Sequence, residues 1–362
     1  MKVKVNLNKT VDNSYEIIIG RNLLNKIPSE LKKKPLGNKY MIITDSNIEK
    51  LFGRKLLQNL RNSGLKADLI SLKPGEQSKN LKVFEQLQEK THALGIDRKS
   101  AIIALGGGVV GDIAGFVAAS YMRGINYIQI PTSLLADVDS SIGGKVAVDL
   151  TSGKNIVGAF HQPKKVYIDA SLLKKLPQKE LLNGMAEVIK HAAIADKKLF
   201  VFLERNMNKI LARNEKILMD VIKRNCEIKG SIVERDEKEA GLRKIVNFGH
   251  TAGHAIETLT HYKKFTHGEA IAIGMCVAAK ISADIKMISK RDAFRIVKLV
   301  ESIGLPTQVP NIPTGKIINE LKKDKKAVEG KVEFVLLSRL GKAEYGISVP
   351  EKTIKEAIEE FK

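Results

Sequence analysis

The sequence predicts an α/β domain over residues 1–176 followed by an all-α, or mainly helical, domain over 177–362. Two patterns carry this reading. In the first half, short apolar runs of strand length alternate with segments of helical periodicity; in the second, long segments place apolar residues three and four apart. Pro177 lies between the two regimes and marks the boundary.

In the first half, Tyr40 to Asp45 is an apolar run closed by an acidic residue, a helical segment extends through Leu60, and Ala67 to Leu72 reads as the next strand. A helix over Leu81 to Leu94, a strand at Ala101 to Leu105, a helix from about Val110 and a strand at Tyr127 to Ile130 continue the rhythm. Such alternation predicts a mostly parallel sheet with helices on both faces. After Tyr167 to Asp169 the helical segments are Glu180 to Ala195, Glu215 to Glu234, Thr251 to Thr260 and Glu269 to Ile288. Val332 to Leu337 has strand character and stands apart from them. Met1 to Thr10 alternates Lys with Val and Leu like a strand and lacks the apolar core of a secretory signal.

With 362 residues and 43% hydrophobic content, the chain can bury two cores. No fixed-period repeat points to a solenoid. Two cysteines, Cys226 and Cys276, make no disulfide framework and point to a reducing, cytoplasmic setting. Ala101 to Ser120 is apolar enough to suggest a membrane span, but its five glycines and Asp112 argue against one. A formal charge of +21 raises nucleic acid as a partner. Against it, the lysines are spread along the chain, aromatics make up only 5%, and no base-reading motif is present. A basic surface drawing small anionic substrates accounts for the charge equally well.

Between the strand ending at Leu105 and the next helix stand Gly106, Gly107, Gly108, Val109, Val110 and Gly111. Glycines there let the backbone approach a pyrophosphate, and the helix N-terminus stabilises its charge, as in a Rossmann-like dinucleotide site. The acidic residue expected about twenty positions on is missing; the next strand ends Ile130, Pro131, Thr132, Ser133. Asp45 can serve the ribose instead, which favours NAD over NADP. A tight strand-to-helix turn with no ligand is the plain alternative.

Four of the seven histidines, His250, His254, His261 and His267, crowd into eighteen positions. His250 and His254 are four apart and share a helical face, so spacing alone selects them as a metal-ligand pair. Spacing names no carboxylate among 40 acidic residues.

Six longer motifs then stand in order: GGGVVGDIAGFVA (106–118), PTSLLADVDSSIGGK (131–145), GKNIVGAFHQP (153–163), NGMAEVIK (183–190), NFGHTAGHAIE (247–257) and HGEAIAIGM (267–275). Together they resemble the 3-dehydroquinate synthase family of sugar-phosphate cyclases, over most of the chain. The resemblance implies an amino-terminal Rossmann-like NAD-binding domain and a carboxy-terminal metal-binding domain. It assigns Glu187, His250 and His267 to the metal, Zn²⁺ or alternatively Co²⁺, and moves His254 to the substrate. It assigns Asp45, Asn47, Glu76, Lys79, Gly107, Gly108, Asp112, Thr132 and Ser133 to the cofactor, with Asp139, Lys145 and Lys154 shared with substrate. Further substrate contacts are Arg123, Asn155, Lys190, Lys229, Arg243, Asn247 and His254, with Lys325 or Lys326 closing the site. Of these, Lys145, Lys190, Arg243, Asn247 and His254 carry the catalytic reading.

The implied reaction takes 3-deoxy-D-arabino-heptulosonate 7-phosphate to 3-dehydroquinate, in the shikimate pathway, by transient oxidation, loss of phosphate, re-reduction and aldol closure. A homodimer is implied by the same analogy. Asp137 stands where an uncharged amide is expected, Val146 and Ala147 where a hydroxyl residue is commoner, and Asp149 where Asn is usual. The rivals are another cyclase, such as 2-deoxy-scyllo-inosose synthase, and a metal-dependent polyol or glycerol-phosphate dehydrogenase. Arg243, Asn247 and His254 together favour a substrate with a carboxylate.

Overall fold

The computed structural model describes residues 12–323 and 332–362. The expected strand at Met1 to Thr10 and the closing lysines Lys325 and Lys326 lie outside the described residues. Six parallel strands form the first layer: β1 (Glu16–Gly20), β2 (Tyr40–Asp45), β3 (Ala67–Leu72), β4 (Ala101–Gly106), β5 (Asn126–Pro131) and β8 (Lys165–Asp169). Their order is β1-β8-β5-β4-β2-β3. From β2 the chain moves outward to β3, then returns to the other side of β2 for β4 and β5. The crossovers diverge between β2 and β4, and their carboxyl ends, Asp45 and Gly106, flank the crevice where open α/β sheets bind ligands.

Helices α1 (Ile27–Lys33), α2 (Ser46–Ile48), α3 (Arg54–Asn62), α4 (Leu81–Ala93) and α5 (Gly108–Ser120) complete this part. β2 and β4 are nearly continuous apolar runs because both faces of the sheet are covered. Met41, Ile43 and Ile102 enter one core, and Tyr40, Ile42 and Ile103 the other. An antiparallel hairpin, β6 (Lys145–Leu150) and β7 (Gly153–Phe160), is inserted between β5 and β8. Neither it nor β1 was among the elements expected from periodicity.

From Pro177 the chain is helical: α6 (Gln178–Ala195), α7 (Lys197–Leu211), α8 (Glu215–Arg235), α9 (His250–Leu259), α10 (His267–Asp284), α11 (Lys290–Ser302), α12 (Thr314–Lys323) and α13 (Glu351–Glu360). The strand character at Val332 belongs to β9 (Val332–Arg339), paired antiparallel with β10 (Lys342–Val349), so this half is helical apart from one hairpin. The hairpin docks by two hydrogen bonds, Leu337 N–H to Ser282 Oγ at 3.1 Å and Gly341 N–H to the Ala193 carbonyl at 2.8 Å. α10 is buried around most of its circumference, as its apolar run IAIGMCVAA requires. Thr266 and Glu269 close its N-terminus as a capping box, starting it two residues before the expected Glu269. The core of this half reaches Val166 and Ile168 of β8. Among the described residues no helix is long and apolar enough to cross a membrane.

Two buried carboxyls contrast. Asp169, at the end of β8, accepts the backbone N–H groups of Asn22, Leu24 and Ser171, and so ties β8 to the turn after β1. Asp137 is 1% exposed, and its Oδ2 has no hydrogen-bond partner. Burial, with a smaller contribution from Asp169, pushes its pKa well above the usual carboxylate range. Because the folded value lies above the unfolded one, the cost is absent in acid. It grows as pH rises through the unfolded carboxylate range and is complete above the folded value. Asp137→Asn is expected to raise the melting temperature near neutral pH and change it little in acid. Thermal melts across pH check this, and an equal shift at every pH rejects it.

Candidate active site

A cleft of about 1300 Å³ runs from the crevice between β2 and β4 to the second half of α9 and the N-terminal end of α10. That volume exceeds the range usual for one small ligand and leaves room for two. At the sheet end, Gly107 is the extended N-cap of α5, so the helix's first amides open onto the cleft. A Cβ on Gly106 would lie 2.6 Å from Val110 Cβ, which is why the strand can turn into the helix so tightly only with glycine there. Asp45 Oδ1 accepts the N–H groups of Asn47 and Ile48 at 2.9 and 3.1 Å, capping the turn after β2. Thr132 and Ser133, following β5, line the same end.

Lys79 is 4% exposed and 2.6 Å from Asp112, and it donates to the Asn155 side-chain oxygen. Burial works against its charge, but Asp112 outweighs it and the pKa is raised. Lys154, on the β6–β7 hairpin, lies 3.8 Å from Glu76 and 4.4 Å from the centroid of the Tyr262 ring, a cation–π contact from the opposite wall.

At the helical end, donor atoms of Glu187, His250 and His267 all lie within 4.8 Å of one another. Glu187 Oε1 is 3.8 Å from His250 Nε2 and 3.7 Å from His267 Nε2. Both Glu187 oxygens are buried without a hydrogen-bond partner, although the Lys190 ammonium is ion-paired with one of them. A carboxylate and two imidazoles, converging with an orphaned acceptor, fit a divalent ion of the zinc type with one position left for substrate. Burial opposes the charge on Glu187, yet Lys190 helps hold its carboxyl below the ordinary range. Burial, then Lys190, pushes His250 well down, keeping it neutral as a ligand must be. For His267, burial is outweighed by Glu187 and Glu257, and its pKa is pushed up to about 9.

These ligands come from three helices held by glycine contacts. A Cβ on Gly274 of α10 would lie 1.9 Å from the Gly249 carbonyl oxygen, just before α9. One on Gly268 of α10 would lie 2.3 Å from the Asn183 carbonyl oxygen of α6. Asn183 Oδ1 also accepts the Gly268 N–H at 2.6 Å, which seats the start of α10 on α6 beside Glu187.

Asp139 lies between the two ends. Lys229 of α8 donates to its carbonyl at 2.7 Å and to its carboxylate. Burial opposes ionisation of Asp139, but Lys229 and Lys190 outweigh it and hold the carboxyl well below its usual value. His191, fully buried, faces Asp139 Oδ1 at 3.4 Å through Nε2 and Asn225 Oδ1 at 3.2 Å through Nδ1.

Of the residues selected from sequence, Asp45, Asn47, Glu76, Lys79, Gly107, Gly108, Asp112, Thr132, Ser133, Asp139, Lys154, Asn155, His254 and His267 line the cleft. Glu187, His250, Lys190 and Lys229 join it through the contacts above. Four residues do not reach it in this conformation. Arg243 is 2% exposed and donates to the carbonyls of Gly143 and Glu237. Lys145 pairs with Glu239, which also accepts from Asn247 Nδ2 at 3.0 Å. Arg123 is exposed in the turn after α5, with a positive φ of 71°, away from the lining. The spacing-based pair of His250 and His254 is also divided, since His254 is 54% exposed and grouped with Glu257 and His267. Sequence reasoning missed Glu257, Glu239, His191 and Tyr262. Glu257, at the end of the NFGHTAGHAIE motif, and His191, next to Lys190, were within reach of the motifs.

Two solved structures share this architecture over nearly their whole length. A 2-deoxy-scyllo-inosose synthase complexed with carbaglucose-6-phosphate, NAD⁺ and Co²⁺ is 31% identical, covers 96% of each chain and superposes with a TM-score of 0.87. A 2-epi-5-epi-valiolone synthase from Streptomyces hygroscopicus with NAD⁺ and Zn²⁺ bound is 25% identical, covers 99% of each chain and gives a TM-score of 0.90. Fold and site thus define a sugar-phosphate cyclase. The 3-dehydroquinate synthase N-terminal family model matches residues 69–183, and the 3-dehydroquinate synthase C-terminal model matches 184–327. The 3-dehydroquinate synthase of Thermoanaerobacter pseudethanolicus is 48% identical over 344 residues, 95% of this chain and 97% of that one. The chain belongs to the 3-dehydroquinate synthase family and is an enzyme, a cyclising lyase.

Gly274→Ala is expected to push α9 away from α10, costing at least about 1–3 kcal/mol of overpacking and separating His250 from His267. Zinc content after dialysis should fall sharply even in folded protein; full zinc retention rejects the account.

Proposed function

We propose that this cleft converts 3-deoxy-D-arabino-heptulosonate 7-phosphate to 3-dehydroquinate and phosphate, using NAD and a divalent ion, zinc or cobalt. One observation carries the reading: a single cleft is lined at one end by the Gly107–Gly108 turn and at the other by His267 of the Glu187, His250 and His267 group. When bound, NAD⁺ would take a hydride and later return it, leaving no net redox change, and the metal would polarise an alcohol oxygen.

The chain's own residues do the rest. The amides at the start of α5 bind the pyrophosphate, and Asp45 takes the ribose hydroxyls and disfavours a phosphate there. Glu187, His250 and His267 hold the metal. Lys154, Asn155, Lys190, Lys229 and His254 orient a substrate bearing both phosphate and carboxylate, and the lysines stabilise the enolate-like charge that develops on proton loss. No side chain is assigned as general base; the substrate phosphate takes the proton and leaves as inorganic phosphate. Arg243, Asn247 and Lys145 enter the cleft only after exchanging their present partners.

The enzyme works in the cytoplasm, as the buried, unbridged thiols of Cys226 and Cys276 support. It works as a homodimer, a reading supported by the exposed apolar residues Ile156 and Phe160 of β7. Its partners are small molecules, with neither nucleic acid nor membrane involved.

Phosphate release from the heptulosonate phosphate is expected to require both NAD⁺ and metal, without NADH accumulation. Steady NADH formation would make the enzyme a dehydrogenase, and turnover of glucose 6-phosphate alone would make it the other cyclase. Glu187→Ala and His250→Ala should lose metal and turnover together, while Lys190→Ala should keep the metal and lose productive binding. Metal analysis beside the phosphate assay checks each outcome.

A further inference from the structure

Glu257 has no part in the scheme above, yet it is among the best-placed carboxylates in the cleft. It lies on α9, one turn beyond His254, and is only 4% exposed. Its Oε1 is 3.5 Å from His267 Nδ1 and its Oε2 is 4.0 Å from His254 Nε2. The other nitrogen of His267, Nε2, faces Glu187 Oε1 at 3.7 Å. The imidazole of His267 therefore spans two buried carboxylates, one on each side. Because the two ring nitrogens point away from each other, a group on the Nδ1 side cannot share an ion held at Nε2. It acts on that ion only through the ring.

From this geometry we infer that Glu257 is a positioning residue: it accepts the Nδ1–H of His267, fixes the tautomer that leaves Nε2 as the metal-facing lone pair, and locks the ring plane. The inference rests on the metal reading above and deepens it. Partners of this kind raise the basicity of the imidazole and remove its rotational freedom before the ion arrives. α9 makes the arrangement rigid, since it carries Glu257 on the same face as His250, about two turns further on, and is pressed onto α10 at Gly274. The same carboxylate reaches toward His254 through its second oxygen. It thus couples the orientation of a metal ligand to that of a proposed substrate contact.

The test is Co²⁺ affinity, measured on metal-stripped full-length protein by competition with a chromophoric chelator, with the visible Co²⁺ spectrum recorded in parallel. Glu257→Gln keeps size and an acceptor oxygen but removes the charge, and is expected to weaken Co²⁺ binding by about tenfold. Glu257→Ala removes the acceptor and is expected to weaken it by up to about a hundredfold and to shift the spectrum. Melting of the metal-free proteins shows whether either variant is disturbed in its fold; if the alanine variant is, the glutamine variant decides. Unchanged affinity and spectrum in a folded variant, with wild-type protein binding Co²⁺ normally, overturns the role of Glu257 and leaves the metal site standing. Failure of the wild-type protein to take up Co²⁺ overturns the metal site itself, and this role with it.

Discussion

The close contact of α6, α9 and α10 is the constraint on which the site depends. Glu187, His250 and His267 belong to different helices, and ordinary side chains at the crossing points would separate those helices by more than a ligand set tolerates. Gly274 against the Gly249 carbonyl, and Gly268 against Asn183, allow backbone-to-backbone approach. The heavily buried α10 acts as the shared floor, and its apolar run anchors the two neighbours. The chemistry is therefore positioned by backbone-to-backbone packing, where a displacement at one helix is transmitted directly to the next.

The charges of the site are balanced among themselves. Glu187 is met by Lys190, Asp139 by Lys229, and Lys79 by Asp112, all with at least one partner deeply buried. Isolated, any of these ions would face a large desolvation cost; paired, they remain ionised. The consequence is a cleft whose polar groups are already arranged before ligands bind, which limits the reorganisation that substrate binding must drive. Arg243, Lys145 and Asn247 are different. Their donors are engaged with Gly143, Glu237 and Glu239, so an anionic substrate must compete with protein acceptors for them.

Much of this was legible in the chain. The alternation of apolar runs located β2, β3, β4 and β5 within a residue or two, because a sheet covered on both faces demands continuous apolar strands. The glycine turn after β4 was readable because close backbone approach leaves few alternatives to glycine. The β6–β7 hairpin was not. Its exposed, glycine-containing second strand carries little apolar periodicity, and antiparallel insertions do not follow the βαβ rhythm. Helical spacing paired His250 with His254, since residues four apart share a face. The fold instead brings in His267 from the next helix and Glu187 from sixty residues upstream, juxtapositions that no local pattern encodes. Glu257 escaped for a related reason: its partner nitrogen belongs to another helix.

The β6–β7 hairpin leaves the sheet after β5 and returns at β8, and those two strands pair directly, Ile128 with Lys165 and Gln129 with Val166. The sheet is therefore continuous without the excursion, whereas the excursion holds Lys145, Lys154 and Asn155. The finger is nonetheless rooted in the scaffold, because Val146 and Val148 of β6 are buried in the core that covers one face of the sheet. Change is tolerated best on its outward strand β7, whose start carries Lys154 and Asn155 to the cleft, so the finger is a fixed root with a variable tip.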